Sequence, residues 1–157
     1  MTTVSNQAAS FRILYLDPDR QWLNIMRREL MDAGLRDVMT TTDPREALAK
    51  IRDADPDLLI TDHDLKLVQF LRQNDASPNR EIPIIVVSGN IDPEGIASLR
   101  DAGVNEIGVK PCSISQLVQR IEAIVSRPRE FVVLDNFVGP SRRRKSVPHD
   151  GTDRRSD

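Results

Sequence analysis

Short apolar runs alternate with longer amphipathic segments five times between Phe11 and Ser126. The runs are Arg12 to Leu16, Val38 to Thr42, Asp57 to Thr61, Pro83 to Ser88 and Asn105 to Val109. The first, third and fourth are almost continuously apolar, as strands covered on both faces are. Between them, apolar positions recur at helical spacing: Trp22, Leu23, Met26 and Leu30, then Ala47, Leu48 and Ile51, then Ile96, Leu99 and Ala102. A last helix is expected over about 115–125, with Leu117, Val118, Ile121 and Ile124 on its apolar face.

Asp-Pro pairs mark helix starts, because the Asp side chain caps free N–H groups and Pro fits the first helical position without losing a hydrogen bond. Asp17-Pro18, Asp43-Pro44 and Asp92-Pro93 have this form, and Gly34 and Gly103 stand where a helix end needs a left-handed residue. Five strand-helix units in this order predict an α/β chain: a doubly wound five-stranded parallel sheet flanked by five helices. In such sheets ligands bind at the carboxyl ends of the strands, here just after Leu16, Thr61, Ser88 and Val109.

The 157 residues fit one domain with an appendage. Residues 1–10 are expected to be disordered, 11–126 to form the domain, and 127–157 to be an arginine-rich tail, largely disordered without a ligand. A small apolar patch, FVVLDNFVGP, opens that tail. Charge divides at the same boundary. Residues 127–157 hold eight Lys/Arg against five Asp/Glu, leaving a net charge of −5 on residues 1–126 and pointing to an anionic partner for the tail or a tail that folds back. The 4% aromatic content argues against a base-stacking RNA surface. One cysteine, Cys112, excludes an intrachain disulfide or thiolate-cluster metal site. With no leader and no apolar stretch of about 18 residues, the expectation is a cytoplasmic protein without a membrane span.

The strand ends present Asp17, Asp19, Asp62, Ser88 and Lys110. A carboxylate attacks phosphorus only when the charge on the phosphoryl oxygens is neutralised, which acids achieve by holding Mg²⁺, helped by a lysine and a hydroxyl. Asp62 is the candidate phosphoacceptor, with Ser88 and Lys110 as phosphoryl-coordinating groups. Asp17 and Asp62 are the candidate Mg²⁺ ligands, and Asp19 and Asp64 are further ones, although Asp19 also fits a helix cap. His63 is expected to be a surface residue.

The blocks RILYLD, PDLLITD, PIIVVSG and AGVNEIGVKP, in this order, resemble those of CheY-like response-regulator receiver domains over about 11–126. The resemblance implies the flavodoxin-like receiver fold, phosphorylation of Asp62 by a histidine kinase or phosphotransfer protein, and signalling to a downstream protein in a two-component system. Three departures from the family pattern imply an atypical receiver. Pro18 replaces the second of two adjacent acids, the usual loop after Asp62 is shortened to His63-Asp64-Leu65-Lys66, and the aromatic switch position is Ile107. They point to slowed or unused phosphorylation, with a phosphorylation-independent pseudo-receiver adaptor as the alternative. The D-x-D form of Asp17-Pro18-Asp19 and Asp62-His63-Asp64 also resembles haloacid-dehalogenase-type phosphatases, but no later acidic strand end completes that site.

In the tail, RRRK at 142–145 and RR at 154–155 supply guanidinium forks that match phosphate and the O6/N7 edge of guanine. RPREFVVLDNFVGPSRRRK is similar to the tail of alphaproteobacterial Cle-type receivers, which implies cyclic di-GMP binding through Arg142, Arg143, Arg144 and Lys145, extended by Arg154 and Arg155, and an output at the flagellar motor or in surface attachment. No DNA-binding domain is expected.

Overall fold

The computed structural model describes residues 2–90 and 92–142. Five strands, β1 (Arg12–Leu16), β2 (Asp37–Thr41), β3 (Leu58–Thr61), β4 (Ile84–Ser88) and β5 (Glu106–Val109), form one parallel sheet in the order β2-β1-β3-β4-β5. Among the described residues six helices accompany it: α1 (Asn6–Ala9), α2 (Arg20–Asp32), α3 (Pro44–Ala54), α4 (Leu65–Gln73), α5 (Pro93–Ala102) and α6 (Ile114–Ser126). Strand alternation splits the apolar residues between two cores. Ile13, Tyr15, Leu58, Ile60, Ile85 and Val87 face α2 and α6, whereas Leu14, Leu16, Leu59, Ile84 and Val86 face α3, α4 and α5. The doubly wound sheet is therefore as expected from the run pattern.

Caps explain where the helices begin. Asp43 and Asp92 cap α3 and α5 ahead of their prolines. The first Asp-Pro pair behaves differently: α2 starts at Arg20 and its cap is Asp19, whose side chain accepts from the Trp22 N–H at 3.1 Å. Pro18 lies outside the helix, because Asp17 sits in the strand-end hydrogen-bond pattern, donating its N–H to the Thr41 carbonyl. The α6 start carries a full capping box between Ser113 and Gln116.

Residues 6–9 and 131–140 are ordered where disorder was expected, while 143–157 lie outside the described residues. Residues 6–9 are helical, Val4 and Ala8 join the core beside α2 and α6, and Ser5 is held by the Glu122 carboxylate. Residues 131–140 form an antiparallel hairpin, β6 (Phe131–Leu134) and β7 (Phe137–Pro140). The apolar patch that opens the tail thus has a use: Phe137 is buried, and β7 lies against α4 and α5.

Two glycines and one arginine seat the hairpin. Gly103 ends α5 with φ 101°, and a Cβ there would stand 2.5 Å from the Val138 carbonyl oxygen. A Cβ on Gly139 would stand 2.7 Å from Gly103 Cα, so backbone packs directly on backbone. Beneath them Arg72 has 0% exposure. Its guanidinium donates to the carbonyls of Gly103 (3.0 Å), Arg80 (2.7 Å) and Ile82 (2.7 Å) and to Asn105 Oδ1 (3.2 Å), with the Phe131 ring 5.5 Å away. Burial lowers its pKa to about 10, which leaves it charged at neutral pH. These groups precede β4 and β5, so the hairpin sits at the amino end of the sheet.

Candidate functional site at the carboxyl end of the sheet

The strand order reverses between β1 and β3, and the residues following those two strands are Asp17 and Asp62. The Asp62 N–H donates to the Leu16 carbonyl at 3.2 Å, which ties the two strand ends together. Ser88 is the last residue of β4, and the Lys110 N–H donates to its carbonyl at 2.8 Å. These four of the residues named from the sequence therefore share one end of the sheet.

Their environments differ. Asp17 is buried, its Oδ1 accepts from the Asp19 N–H at 2.8 Å and its Oδ2 accepts from Lys110 Nζ at 2.6 Å. The same ammonium lies 4.9 Å from the centre of the Trp22 ring, and Trp22 Nε1 donates to the buried Tyr15 hydroxyl at 2.9 Å. Asp62 is half-buried, with the Thr61 hydroxyl at 3.4 Å from its Oδ1. Its pKa is raised, first by lost hydration and then by the carboxylates of Asp17 and Asp64, while the Thr61 hydroxyl and Lys110 act in the opposite direction. Ser88 is buried, and its Oγ accepts from the Asn90 N–H at 3.3 Å. The Lys110–Pro111 peptide is cis.

The remaining candidates separate. Asp64 caps α4, accepting from the Leu67 N–H at 3.0 Å, while staying close enough to repel Asp62. Asp19 is exposed and serves as the α2 cap; His63 is exposed. Ile107 is half-buried against the α5-side core. Arg142 belongs to the far end of the molecule, 2.6 Å from Asp101 and 4.7 Å over the Phe137 ring. Arg143, Arg144, Lys145, Arg154 and Arg155 lie outside the described residues.

Trp22 as a partner of Lys110 and Arg72 as a buried anchor were missed by sequence reasoning. The α4 pattern did carry a signal for Arg72: it follows Val68 by one helical turn, on the face that buries Leu67, Val68 and Leu71.

Among the described residues no three His, Cys, Asp or Glu side chains converge as a metal cage. Mg²⁺ needs none, since it is commonly held by one or two carboxylates and completes its shell with water and phosphate oxygens. Asp17 and Asp62, two carboxylates whose charges repel, are the donors that fit it. Bound there, such an ion would neutralise charge on a phosphoryl group. Around it the chain's own residues place a carboxylate, an ammonium with donors to spare and an alcohol.

A parallel sheet in this order with these strand ends defines a CheY-like class of protein. The family model described as the response regulator receiver domain matches residues 13–122, and the chain belongs to that family. Receiver domains are signalling proteins of two-component systems rather than catalysts, and they generally bind Mg²⁺ at the acidic site. The chain is 30% identical over 143 residues to the transcriptional regulatory protein PdtaR of Mycobacterium tuberculosis, covering 87% of this chain and 67% of that protein. It is 26% identical over 121 residues to the transcriptional regulatory protein PrrA of Mycobacterium leprae, covering 76% of this chain but only 52% of PrrA, about half its length. The chemotaxis protein CheY4 of Vibrio cholerae, crystallised at low pH, superposes with a TM-score of 0.65 at 26% identity, over 73% of this chain and 98% of that one. Among the described residues no helix is long and apolar enough to cross a membrane.

Proposed function

We propose that this receiver takes a phosphoryl group on Asp62 from a histidine kinase or phosphotransfer protein and signals by binding a downstream protein. The observation that carries this reading is the meeting of Asp17, Asp62, Ser88 and Lys110 at the switch point of the sheet. Lys110 contributes a point charge with three donors, of which Asp17 takes one, so the ammonium has donors left for a phosphoryl oxygen. Amide spectra of the full chain titrated with Mg²⁺ and beryllofluoride test it. Asp62, Ser88 and Lys110 should shift in the wild type and stay still in Asp62→Asn; a wild type unmoved at saturation removes the reading.

The alternative is a phosphorylation-independent adaptor. Pro18 and the capping duties of Asp19 and Asp64 favour it, because they reduce the oxygens available to a cation. Complete, rapid modification by acetyl phosphate would exclude it. A haloacid-dehalogenase-type phosphatase has no support in the family match, and p-nitrophenyl phosphate should not be turned over.

The tail adds a second input: cyclic di-GMP held by Arg142, Arg143, Arg144 and Lys145, with Arg154 and Arg155 extending the site, and an output in motility or surface attachment. Support comes from the guanidinium chemistry of the cluster. Calorimetry should give heat with the wild type and none with Arg142, Arg143 and Arg144 all changed to Ala; equal heats would end the tail reading.

A further inference from the structure

Beside the hairpin, a cleft of about 550 Å³ opens between β7, the end of α5, the free edge of β5 and α6. Four arginines line it: Arg100 from α5, Arg120 from α6, Arg129 ahead of the hairpin and Arg142 after it. Two carboxylates stand among them. Asp101 is 2.6 Å from Arg142, an exposed pair, and Glu106 is 3.8 Å from Arg129, a largely covered one. Four guanidiniums against two carboxylates leave the lining an excess of two positive charges. The Arg120 Nε is covered by Gly108, where a Cβ would come within 3.2 Å of it, so the half-buried Arg120 lines the cleft with the rest of its side chain. Guanidiniums in excess over carboxylates in a cleft suit an anion.

We infer that this cleft binds a phosphate-bearing small molecule, with Arg100 and Arg120 as its principal contacts. Its volume is that of a small-ligand site, and its closure by the hairpin suits a compact anion better than an extended acidic peptide. Guanidinium forks match phosphate oxygens in pairs, and Phe137 and Pro140 give one wall an apolar surface. The site shares Arg142 with the proposed tail site and rests on that reading only if cyclic di-GMP is the ligand. It exists without Arg143 and Arg144. The hairpin, one wall of the cleft, also touches α4.

The test is calorimetry on the full chain at physiological ionic strength, with pyrophosphate, cyclic di-GMP and a glutamate-rich peptide as separate probes. Amide spectra report binding at Gly108 and Gly103. Pyrophosphate or cyclic di-GMP should bind the wild type and shift Gly108. Arg100→Gln and Arg120→Gln should each weaken that binding about tenfold, the loss of one charge-assisted contact. Arg100 is exposed, so its variant keeps the fold even if Arg120→Gln does not. The assignment is overturned if neither phosphate probe binds, if Arg100→Gln binds both as wild type does, or if the peptide binds more tightly than either. Binding of cyclic di-GMP lost only in Arg143→Ala/Arg144→Ala would leave the tail reading standing and remove the cleft. Pyrophosphate bound at Gly108 without any response to cyclic di-GMP would do the reverse.

Discussion

At the carboxyl end of the sheet, Lys110 is a cation whose side chain is 24% exposed, held by one carboxylate and one indole face. At the amino end, Arg72 is a cation with no exposure, held by three carbonyls, an amide oxygen and an aromatic ring. The lysine is a point charge with donors in reserve and a flexible stem, which is what the proposed contact with a phosphoryl group requires. The arginine spends its planar fork on loop backbone and fixes the floor on which the hairpin sits. The proposed function thus asks one end of the molecule to change partners and the other to keep them.

The largest effect expected from breaking this contrast is in Arg72→Ala. It strands the buried carbonyls of Gly103 and Ile82, each at about 1–3 kcal/mol, and the part-buried carbonyl of Arg80, so urea unfolding should show a loss of at least about 3 kcal/mol. A change below 1 kcal/mol would mean that Arg72 does not anchor the amino end. Lys110→Ala should cost less, about 2 kcal/mol. Buried ion pairs broken on one side lose 3–5 kcal/mol, and the partial exposure of Lys110 reduces that figure. Adding Asp17→Ala should recover part of the loss, and strictly additive losses would show that the pair is not coupled.

Asp62→Asn sharpens the comparison by its sign. The folded pKa of Asp62 is raised, so the native state binds the proton more tightly than the unfolded chain and stability falls as pH rises through the window from the ordinary carboxylate value up to the raised one. The neutral variant should therefore be more stable than wild type at pH 7 without added metal. That advantage should fade as the pH drops below the window; a variant less stable at pH 7 would contradict the repulsion from Asp17 and Asp64. The smallest contribution is the contact between the Lys110 ammonium and the Trp22 indole, about 0.5–1 kcal/mol; Trp22→Leu removes it together with the indole's hydrogen bond to the buried Tyr15 hydroxyl, so its stability loss is the sum of the two. Its better readout is the Lys110 Nζ signal, which should move in this variant and be unchanged in Arg72→Ala if the two ends are independent.

The strand runs, the Asp43 and Asp92 caps, the left-handed glycines and the order of strand ends were all legible along the chain, because each depends on local periodicity or a single residue's backbone preference. That is also why Asp17, Asp62, Ser88 and Lys110 could be named: in a parallel sheet, the residues after consecutive strands meet at one end whatever the helices do. Of the division of labour among the acids only the Asp19 cap was legible. Asp17 and Asp64 are the same residue type beside helix starts, and only the positions of Lys110 and Leu67 decide which one pairs and which one caps while repelling Asp62.

The terminal segments mark the same limit. Four-residue strands and a four-residue helix carry no reliable period of their own, and their order comes from contacts with residues far away in sequence, Val4 on Ala33, Ser5 on Glu122 and Gly139 on Gly103. By itself the chain determined the parallel sheet and the chemistry gathered at its carboxyl end. The tertiary structure alone decided that residues 131–140 close onto the amino end and that Arg100, Arg120, Arg129 and Arg142 share a cleft. The reason is that a charge far away in sequence becomes a neighbour only after the backbone between has been placed.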